Sequence, residues 1–293
     1  VLALAADPTT RTLFVLNPNM LVFGKTDTPE IAWQVLTITD LLQKADLTLY
    51  SGSRFTDLTI QPGSTYLWIA LKHPTQTNPR PSIIRYNWET SAIDQIPTDS
   101  IDQLASPIND LNFGPDGALW VACGNASEQG SISTFLPSGV WQHFLPQSAF
   151  GLTGDYYTAV QVDANGVVYA AHPNGLNYKL PNDANFLNYE NGSAAMLAPL
   201  ENGVLLGTNS QLTAFTPLGL DGVFPYPPPV SGPAPSRVPP VVVPNATPTP
   251  LPPLAHANRR VLQQPGSNHS GGQTVLAALY TPKGRLWYGG AAG

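Results

Sequence analysis

A short hairpin pattern occurs six times along the chain, and it restricts the possible folds more than any other feature of the sequence. Each copy has an apolar strand, a turn built on Gly or Pro, and a second strand that opens with an aliphatic residue. An aromatic or a second aliphatic residue follows that opening position. The turns Asp116-Gly117 and Asn165-Gly166 supply the positive φ angles that tight hairpins need. The second strands open at Leu13, Leu67, Leu119, Val168, Leu205 and Leu286.

A third apolar strand and a fourth, often aromatic strand follow most hairpins, as in Ile132-Ser-Thr-Phe135 and Trp141-Gln-His-Phe144. Four antiparallel strands in each unit of roughly 40–50 residues are typical of a β-propeller blade. A β-sandwich rarely repeats one hairpin six times, and the coils of a β-solenoid are shorter. The sequence therefore predicts an all-β propeller of four-stranded antiparallel blades, with five full blades and half of a sixth. Only 40–46 could form a turn or two of helix.

The repeat and the proline content divide the chain into three parts. Residues 1–224 are predicted to form blades one to five, 225–270 a proline-rich insertion, and 271–293 the first two strands of blade six. A propeller whose first and last blades do not pair has open sheet edges. We therefore expect the ring to be completed by residues beyond Gly293 or by strands from a neighbouring molecule.

Composition excludes several classes of protein. The 13 basic and 19 acidic side chains give a net charge of −6 without basic clusters, so no nucleic-acid partner is expected. No run of about 18 apolar residues is present, so no membrane span is predicted in this segment. A single cysteine excludes a disulfide framework and a cysteine-based metal centre.

Residues 225–253 contain 13 prolines in 29 positions, a composition that favours extended polyproline II structure over a packed core. This segment is predicted to loop out of the ring, either as a passive spacer or as a docking or O-glycosylated segment. Low charge and this Pro/Thr-rich run favour export to an extracellular, periplasmic or cell-surface location. If the protein is an exported glycoprotein, four sequons are candidate N-glycosylation sites, at Asn125, Asn191, Asn245 and Asn268.

The unit Gly114-Pro-Asp-Gly-Ala-Leu-Trp-Val121 and its copies, with later Gly-Leu and Pro-x-Gly-x-Trp elements, resemble bacterial periplasmic or extracellular propeller repeats. Sensor propellers of two-component regulators and the propellers of streptogramin lyases carry such repeats. The resemblance runs along most of the chain outside 225–270. It implies the fold, and its possible functions are ligand sensing in a receptor or metal-dependent lyase or lactonase chemistry. The Gly-His and Trp-Asp pairs of WD repeats are absent.

Propellers usually bind ligands at one end of the central channel, on loops that follow the second strands. The alignment places five polar residues there as candidate binding residues, although ordinary capping of strand ends is the favoured interpretation of them. They are Asn17, His73, Asn125, His172 and Asn209.

Both histidines of this set precede proline, and two inward imidazoles could act as acid and base or hold a cation. The likeness to streptogramin lyases implies a magnesium ion near His73 and His172, and lactonase propellers suggest calcium instead. No glutamate matches the acidic partner that such lyases use. For a lactonase, the only acidic candidates are Asp57 and Asp110, whose carboxylates we expect to hydrogen-bond backbone between blades.

Other reactive or aromatic residues have structural interpretations. Cys123 lies on a predicted buried strand and is expected to be an inert small hydrophobe. One blade position repeats an aromatic residue that is predicted to pack between sheets, and three outer-strand tryptophans could either pack between blades or contact a partner. The first set is Phe14, Trp68, Trp120, Tyr169 and Trp287; the second is Trp33, Trp88 and Trp141.

These observations favour a non-enzymatic exported propeller that serves as a binding, assembly or scaffold module of a larger extracellular or periplasmic protein. Its expected partner is another protein or a second copy of the chain, with the proline-rich segment as a candidate contact. No catalytic residue, metal or other cofactor is predicted in this first hypothesis. The alternatives are a lyase or lactonase with a Mg²⁺ or Ca²⁺ ion in the channel, and the ligand-sensing propeller of a signalling receptor.

Overall fold

A computed structural model of the chain shows an all-β fold with one short helix among the residues that it describes. The described residues are 2–27, 30–45, 52–72, 82–95, 107–146, 150–189, 196–200, 203–207, 211–216, 219–225, 259–260, 275–280 and 286–290.

Successive groups of four strands form successive antiparallel sheets, each with its strands in chain order. Sheet 1 contains β1 (Ala3–Asp7), β2 (Thr12–Asn17), β3 (Met20–Lys25) and β4 (Gln34–Thr37), and sheet 2 contains β5 (Arg54–Ile60), β6 (Tyr66–Lys72), β7 (Ser82–Asn87) and β8 (Ile93–Gln95). Sheet 3 contains β9 (Ile108–Phe113), β10 (Leu119–Asn125), β11 (Glu128–Phe135) and β12 (Trp141–Phe144).

Sheet 4 contains β13 (Ala159–Val162), β14 (Val168–His172), β15 (Gly175–Lys179) and β16 (Leu187–Tyr189), and sheet 5 contains β17 (Met196–Leu200), β18 (Gly203–Gly207), β19 (Gln211–Thr216) and β20 (Gly219–Pro225). Three further strands follow: β21 (Arg259–Arg260), β22 (Val275–Tyr280) and β23 (Leu286–Gly290). The last two pair with each other, and β21 adds to the free edge of β1.

The first strands of consecutive sheets contact one another in the order β1, β5, β9, β13, β17 and β22. This arrangement confirms the all-β prediction of four-stranded antiparallel sheets and is consistent with a propeller.

The hairpin turns form as the Asp-Gly and Asn-Gly pairs predict. Gly117 and Gly166 have φ values of +79° and +80°, which L-residues with a side chain rarely adopt. The Asp116 carboxylate accepts the backbone N–H of Ala118 at 3.0 Å and so fixes the turn before β10.

Helix α1 (Ile38–Lys44) lies two residues earlier than the segment for which a helical turn was predicted. Thr37 caps it, because its hydroxyl accepts the Asp40 N–H at 3.1 Å while the Asp40 carboxylate accepts the Thr37 N–H at 2.9 Å. These hydrogen bonds, the Thr37 hydroxyl first, lower the pKa of Asp40. Leu41 and Leu42 are fully buried between sheets 1 and 2, so the helix forms part of the core.

The core consists of apolar layers between neighbouring sheets, and the repeated aromatic position lies in these layers. Phe14 contacts Trp88 of sheet 2 with ring centroids 4.9 Å apart, and Trp68 contacts Phe113 of sheet 3 at 5.6 Å. The packing predicted for the described members of this set is therefore confirmed. The side chain of Trp287 lies outside the described part of the structure.

Sheet 5 corrects the sequence alignment by one position. Val204 and Leu206 face sheet 4, as Val168 and Ala170 face sheet 3, so Val204 and not Leu205 is the equivalent of Val168. The alignment followed the pattern of aliphatic pairs, which Val204-Leu205-Leu206 satisfies in two registers.

Candidate functional site

Three of the five residues predicted to line the channel mouth belong to described parts of the chain. Asn17, Asn125 and His172 are the last residues of the second strands of sheets 1, 3 and 4. They share this topological position, but their environments differ. His73 and Asn209 lie outside the described residues, so their place at the mouth stays a prediction.

Asn125 serves the turn that follows its strand. Its side-chain oxygen accepts the backbone N–H of Ser127 at 2.7 Å, which is the local capping that the alternative interpretation of these polar positions predicts. This Asn is also the one candidate glycosylation residue within the described ranges. Asn191, Asn245 and Asn268 lie outside them, as does most of the proline-rich segment.

His172 is fully buried at the end of β14, where the connection from sheet 3 to sheet 4 passes over it. The Tyr157 ring lies edge-on to the imidazole with centroids 5.7 Å apart. Gly154 lies directly against it, and a Cβ at this glycine would come within 2.6 Å of the His172 Cβ. The Asn174 N–H approaches Nδ1 at 3.4 Å, and the Thr153 hydroxyl lies 3.5 Å from Nε2. The imidazole is thus packed within the fold, mainly by residues of the connection between sheets 3 and 4.

A buried polar cluster extends from this histidine. The Tyr157 hydroxyl donates to the Asn177 side-chain oxygen at 3.0 Å and accepts the Gly154 N–H at 3.1 Å. Burial raises the pKa of Tyr157, so this hydroxyl stays protonated and remains a donor.

The cluster reaches the surface through Thr153, whose hydroxyl donates to the Asn188 side-chain oxygen at 2.9 Å. Asn177 also donates to the Thr153 hydroxyl at 3.2 Å. These bonds join the connection from sheet 3 to the outer strands of sheet 4. We call Thr153, Tyr157, His172, Asn177 and Asn188 the sheet 4 polar cluster.

Two inner-strand carboxylates link neighbouring sheets, as the sequence predicts. Asp57 of β5 accepts the Leu111 N–H of sheet 3 at 2.7 Å, and Asp110 of β9 accepts the Val160 N–H of sheet 4 at 2.8 Å. The strand register shifts next to each aspartate. A β-bulge of this kind changes the direction of the side chain that follows it. The hydrogen bonds between blades that we expected for these carboxylates are therefore confirmed.

Sequence reasoning missed a second link at the same layer. The Asn112 side-chain oxygen accepts the Val162 N–H at 3.1 Å and lies 3.3 Å from the Gln161 amide nitrogen. Both side chains are buried. The sequence signal for this link was a pair of side-chain amides, Asn112 and Gln161, on the first strands of consecutive sheets. A buried amide needs a polar partner, so each could have been paired with the other.

A hydrogen-bonded track crosses sheet 3 from its second strand, β10, to its outer strand, β12, and sequence reasoning missed it as well. The Cys123 sulfur lies 3.1 Å from the Ser131 hydroxyl, and Ser133 lies 2.9 Å from His143 Nδ1. The two serine hydroxyls are 3.5 Å apart. Burial lowers the pKa of His143. Cys123 is fully buried, in agreement with its predicted role as a small core residue.

Of the three tryptophans predicted on outer strands, Trp141 lies in β12, whereas Trp33 precedes β4 and Trp88 follows β7. Trp88 is buried against Phe14, and Trp141 packs on Phe135 at 5.0 Å, whereas Trp33 is 46% exposed. Within the described ranges, no three His, Cys, Asp or Glu residues are grouped as cation ligands. No helix in these ranges is long and apolar enough to cross a membrane.

Comparison with known proteins gives the fold and no family. No protein-family model matches the sequence, and no curated protein matches it. Among solved structures, the extracellular domain of the hybrid two-component system BT3049 from B. thetaiotaomicron has a TM-score of 0.56 at 16% identity over 74% of this chain. The extracellular domain of the one-component system BT4673 from the same organism has a TM-score of 0.52 at 15% identity over 76% of this chain.

A chain of the Mitotic Checkpoint Complex also matches, with a TM-score of 0.54 at 10% identity over 76% of this chain and 63% of its own. The chain spans only 28% of each of the two Bacteroides domains. The resemblance to extracellular sensor propellers noted from the sequence is thus confirmed at the level of fold. Because the identities are this low, the similarity shows a shared fold and transfers no ligand or partner to this chain.

Proposed function

We propose that this chain is a non-catalytic β-propeller module of an exported protein, and that it binds a protein partner or a second copy of itself. In this proposal 1–224 form five blades, 225–270 are an insertion that projects from the ring except where β21 pairs with β1, and 271–293 begin a sixth blade. An extracellular or periplasmic location belongs to the proposal, and the likeness to extracellular sensor domains supports it.

A contrast between inner polar and outer apolar side chains supports this proposal most directly. Asp57, Asp110 and His172, the described candidates for catalysis, all contact groups within the fold. By contrast, Trp33 and Val35 at the outer edge of sheet 1 are 46% and 55% exposed. Exposed apolar side chains at a sheet edge are suited to contact with another protein.

Lysine-directed cross-linking of the natural full-length protein, followed by mass spectrometry, tests the proposal. Lys25 is exposed in sheet 1, whose outer strand β4 directly follows Trp33, and it should form reproducible cross-links to another protein or to a second copy. Trp33→Ser should abolish these cross-links. Val140→Ser is the matched control, because Val140 is 55% exposed on sheet 3. Cross-links that survive Trp33→Ser, or that both variants lose equally, would contradict the proposed surface.

A ligand-sensing module is the second candidate, because both Bacteroides structures are extracellular domains of signalling systems. In that case a small ligand should raise the melting temperature of the chain, and the Trp33→Ser variant should respond as strongly as the parent. If sheet 1 is a partner interface instead, the Trp33→Ser variant should respond to its partner less strongly than the parent does.

The lyase or lactonase alternative requires a divalent cation at His73 and His172. Calorimetric titration with Mg²⁺ and Ca²⁺ tests it: cation binding that His172→Gln removes, together with lactone hydrolysis, would replace the non-catalytic proposal. The packing of His172 against Gly154 and Tyr157 argues against cation binding, because the imidazole would first have to leave these contacts.

A further inference from the structure

The chain segment between sheets 3 and 4 is attached to both sheets, and we call its residues 153–158 the strap. On the sheet 3 side the attachment consists of backbone hydrogen bonds. The Gly130 N–H donates to the Asp155 carbonyl oxygen at 2.7 Å. The Tyr157 N–H donates to the Cys123 carbonyl oxygen at 3.2 Å. Backbone groups do not titrate between about pH 5 and pH 8, so this attachment does not depend on pH.

On the sheet 4 side the strap lies against the fully buried imidazole of His172. Gly154 packs so closely on the ring that a Cβ at this glycine would come within 2.6 Å of the His172 Cβ and 2.7 Å of its Cγ. The Asn177 side-chain oxygen accepts the Tyr157 hydroxyl at 3.0 Å and the Thr153 N–H at 3.3 Å. This side of the strap is therefore held by side-chain contacts gathered around one histidine.

Two contacts of the ring nitrogens indicate the protonation state of His172. The Asn174 N–H donates to Nδ1 at 3.4 Å, and a backbone N–H can only donate, so Nδ1 carries a lone pair. The Thr153 hydroxyl donates to Asn188 and accepts from Asn177. Its second lone pair faces Nε2 at 3.5 Å. The neutral imidazole with its proton on Nε2 satisfies both contacts.

The surroundings of His172 favour this uncharged form, because burial penalises the charged one. Burial raises the pKa of Tyr157, so this neighbour stays neutral, and Asp155 is exposed, so water screens its charge. Lys179 lies at the opposite end of the pairing between β14 and β15. The Asp110 carboxylate of sheet 3 is hydrogen-bonded to the inner strand β13. The remaining tyrosines of the strap and of sheet 4 pack toward sheet 3 or sheet 5; they are Tyr156, Tyr169, Tyr178 and Tyr189.

A proton taken up at Nδ1 would change the contacts of the ring. The imidazolium carries an N–H at both ring nitrogens, so the new Nδ1–H would meet the Asn174 N–H and two donors would face each other. The positive charge would also be buried beneath Gly154. Both costs fall when the strap leaves the ring and water reaches it.

We propose that the strap is a pH-sensitive device, which the neutral His172 imidazole holds on sheet 4 and which protonation of that imidazole releases. The backbone bonds to sheet 3 persist, so the strap opens on its sheet 4 side only. His172 is the last residue of β14, at the end of the sheet where the sequence predicts the channel mouth. A ligand or partner at this end would meet a different surface in acid. The inference is independent of the partner surface proposed at sheet 1.

Hydrogen exchange of the full chain at pH 7.5 and pH 5.5 tests the device. EDTA is present, so that loss of a bound cation cannot cause the change. A solvated histidine has a pKa of about 6.5, so release should be about tenfold more favourable at the lower pH. The protection factors of the Thr153 and Gly154 amides, which donate to the sheet 4 polar cluster, should fall by that factor.

The amides on the sheet 3 side provide an internal reference. The protection factors of Gly130 and Tyr157 should change by less than about twofold, because their acceptors are backbone carbonyls that do not titrate. Unchanged protection at Thr153 and Gly154 would overturn the proposal. An equal loss at all four amides would overturn it as well, because the whole region would then be unfolding.

Substitution of the histidine identifies the titrating group. His172→Gln should remove the change in protection at Thr153 and Gly154, because glutamine does not titrate. His143→Gln is the matched control, since His143 is a partly buried histidine of sheet 3, and it should keep the change. A change that survives His172→Gln, or that His143→Gln removes, would contradict the proposal.

Nuclear magnetic resonance of the parent chain decides the matter if His172→Gln does not fold. The imidazole ¹⁵N shifts of His172 should show a neutral ring with its proton on Nε2 at pH 7.5. An imidazolium at pH 7.5, or a proton on Nδ1 there, would overturn the proposal.

Discussion

Sheets 1 and 3 have second strands of the same sequence type but different surroundings. In β10, Val121 and Cys123 on one face are fully buried, and Trp120 on the other face is 8% exposed. In β2, Phe14 is fully buried, whereas its neighbours on the other face are half-buried. Apolar residues on both faces of a strand predict that another sheet packs on each face. How much of a face is buried depends on the sheet that packs against it.

The same two sheets differ in their polar links. The Asp57 carboxylate of sheet 2 accepts a hydrogen bond from sheet 3, and the Asp110 carboxylate of sheet 3 accepts one from sheet 4. The equivalent position of sheet 1 is Ala3, two residues before the partner of the repeated aromatic residue. Sheet 3 is therefore fixed on both sides by packing and hydrogen bonds, and the contact of sheet 1 with sheet 2 lacks this carboxylate.

The largest effect that separates the two sheets is expected for tryptophan truncation. Trp68→Ala should lower the free energy of unfolding by about 3–5 kcal/mol, because a ring that is 3% exposed leaves a cavity against sheet 3. Trp33→Ala on sheet 1 should change it by no more than about 0.5 kcal/mol. Urea denaturation of both variants gives the comparison. Equal losses would mean that Trp33 is covered as fully as Trp68.

The carboxylate link should have a smaller effect. Asp110→Ala leaves the Val160 N–H without its acceptor and should cost about 1–3 kcal/mol of unfolding free energy. Asp110→Asn keeps an oxygen that can accept this N–H and should cost less. Urea denaturation measures both variants, and hydrogen exchange at Val160 should be faster in the alanine variant. Unchanged exchange there would argue against the link.

The track across sheet 3 should produce a shallow dependence of stability on pH. Burial lowers the folded pKa of His143 below its ordinary value of about 6.5, so the unfolded chain binds more protons between the two values. The contribution of His143 is then complete above about pH 6.5 and is lost as the pH falls toward the folded pKa. Denaturation midpoints measured from pH 8 to pH 5 should fall less in His143→Gln than in the parent. Parallel curves would show that His143 does not titrate in this way.

The smallest effect is expected at Val35 in β4, the outer strand of sheet 1. Val35 is 55% exposed, so Val35→Thr should change the free energy of unfolding by no more than about 0.5 kcal/mol. Val121→Thr in β10 of sheet 3 should cost distinctly more, because Val121 is fully buried and the change buries a hydroxyl. Thermal unfolding of the pair provides the measurement. A large loss at Val35 would indicate that another surface covers it.

Much of the fold could be predicted from local sequence signals. Asp116-Gly117 determines a hairpin because its turn needs a positive φ angle, and the repeated aliphatic–aromatic pair marks each second strand. The aspartates between sheets could also be predicted, because a carboxylate on a buried inner strand needs a hydrogen-bond donor. The register of sheet 5 could not, because Val204-Leu205-Leu206 is apolar in either register.

The candidate site was less predictable because its contacts join distant segments. His172 carries no sequence signal that Gly154 will lie against its ring. Ser133 and His143 meet only because β11 and β12 pair in one register. A shift of one residue would direct the two side chains to opposite faces.

The sequence alone determined the strands, the tight turns and the presence of two apolar faces in each second strand, because these depend on the backbone preferences and side-chain polarity of neighbouring residues. Only the tertiary structure decided which faces are covered and which polar groups satisfy one another. Those outcomes depend on how sheets distant in the chain pack and on hydrogen bonds whose partners are 54 and 50 residues apart.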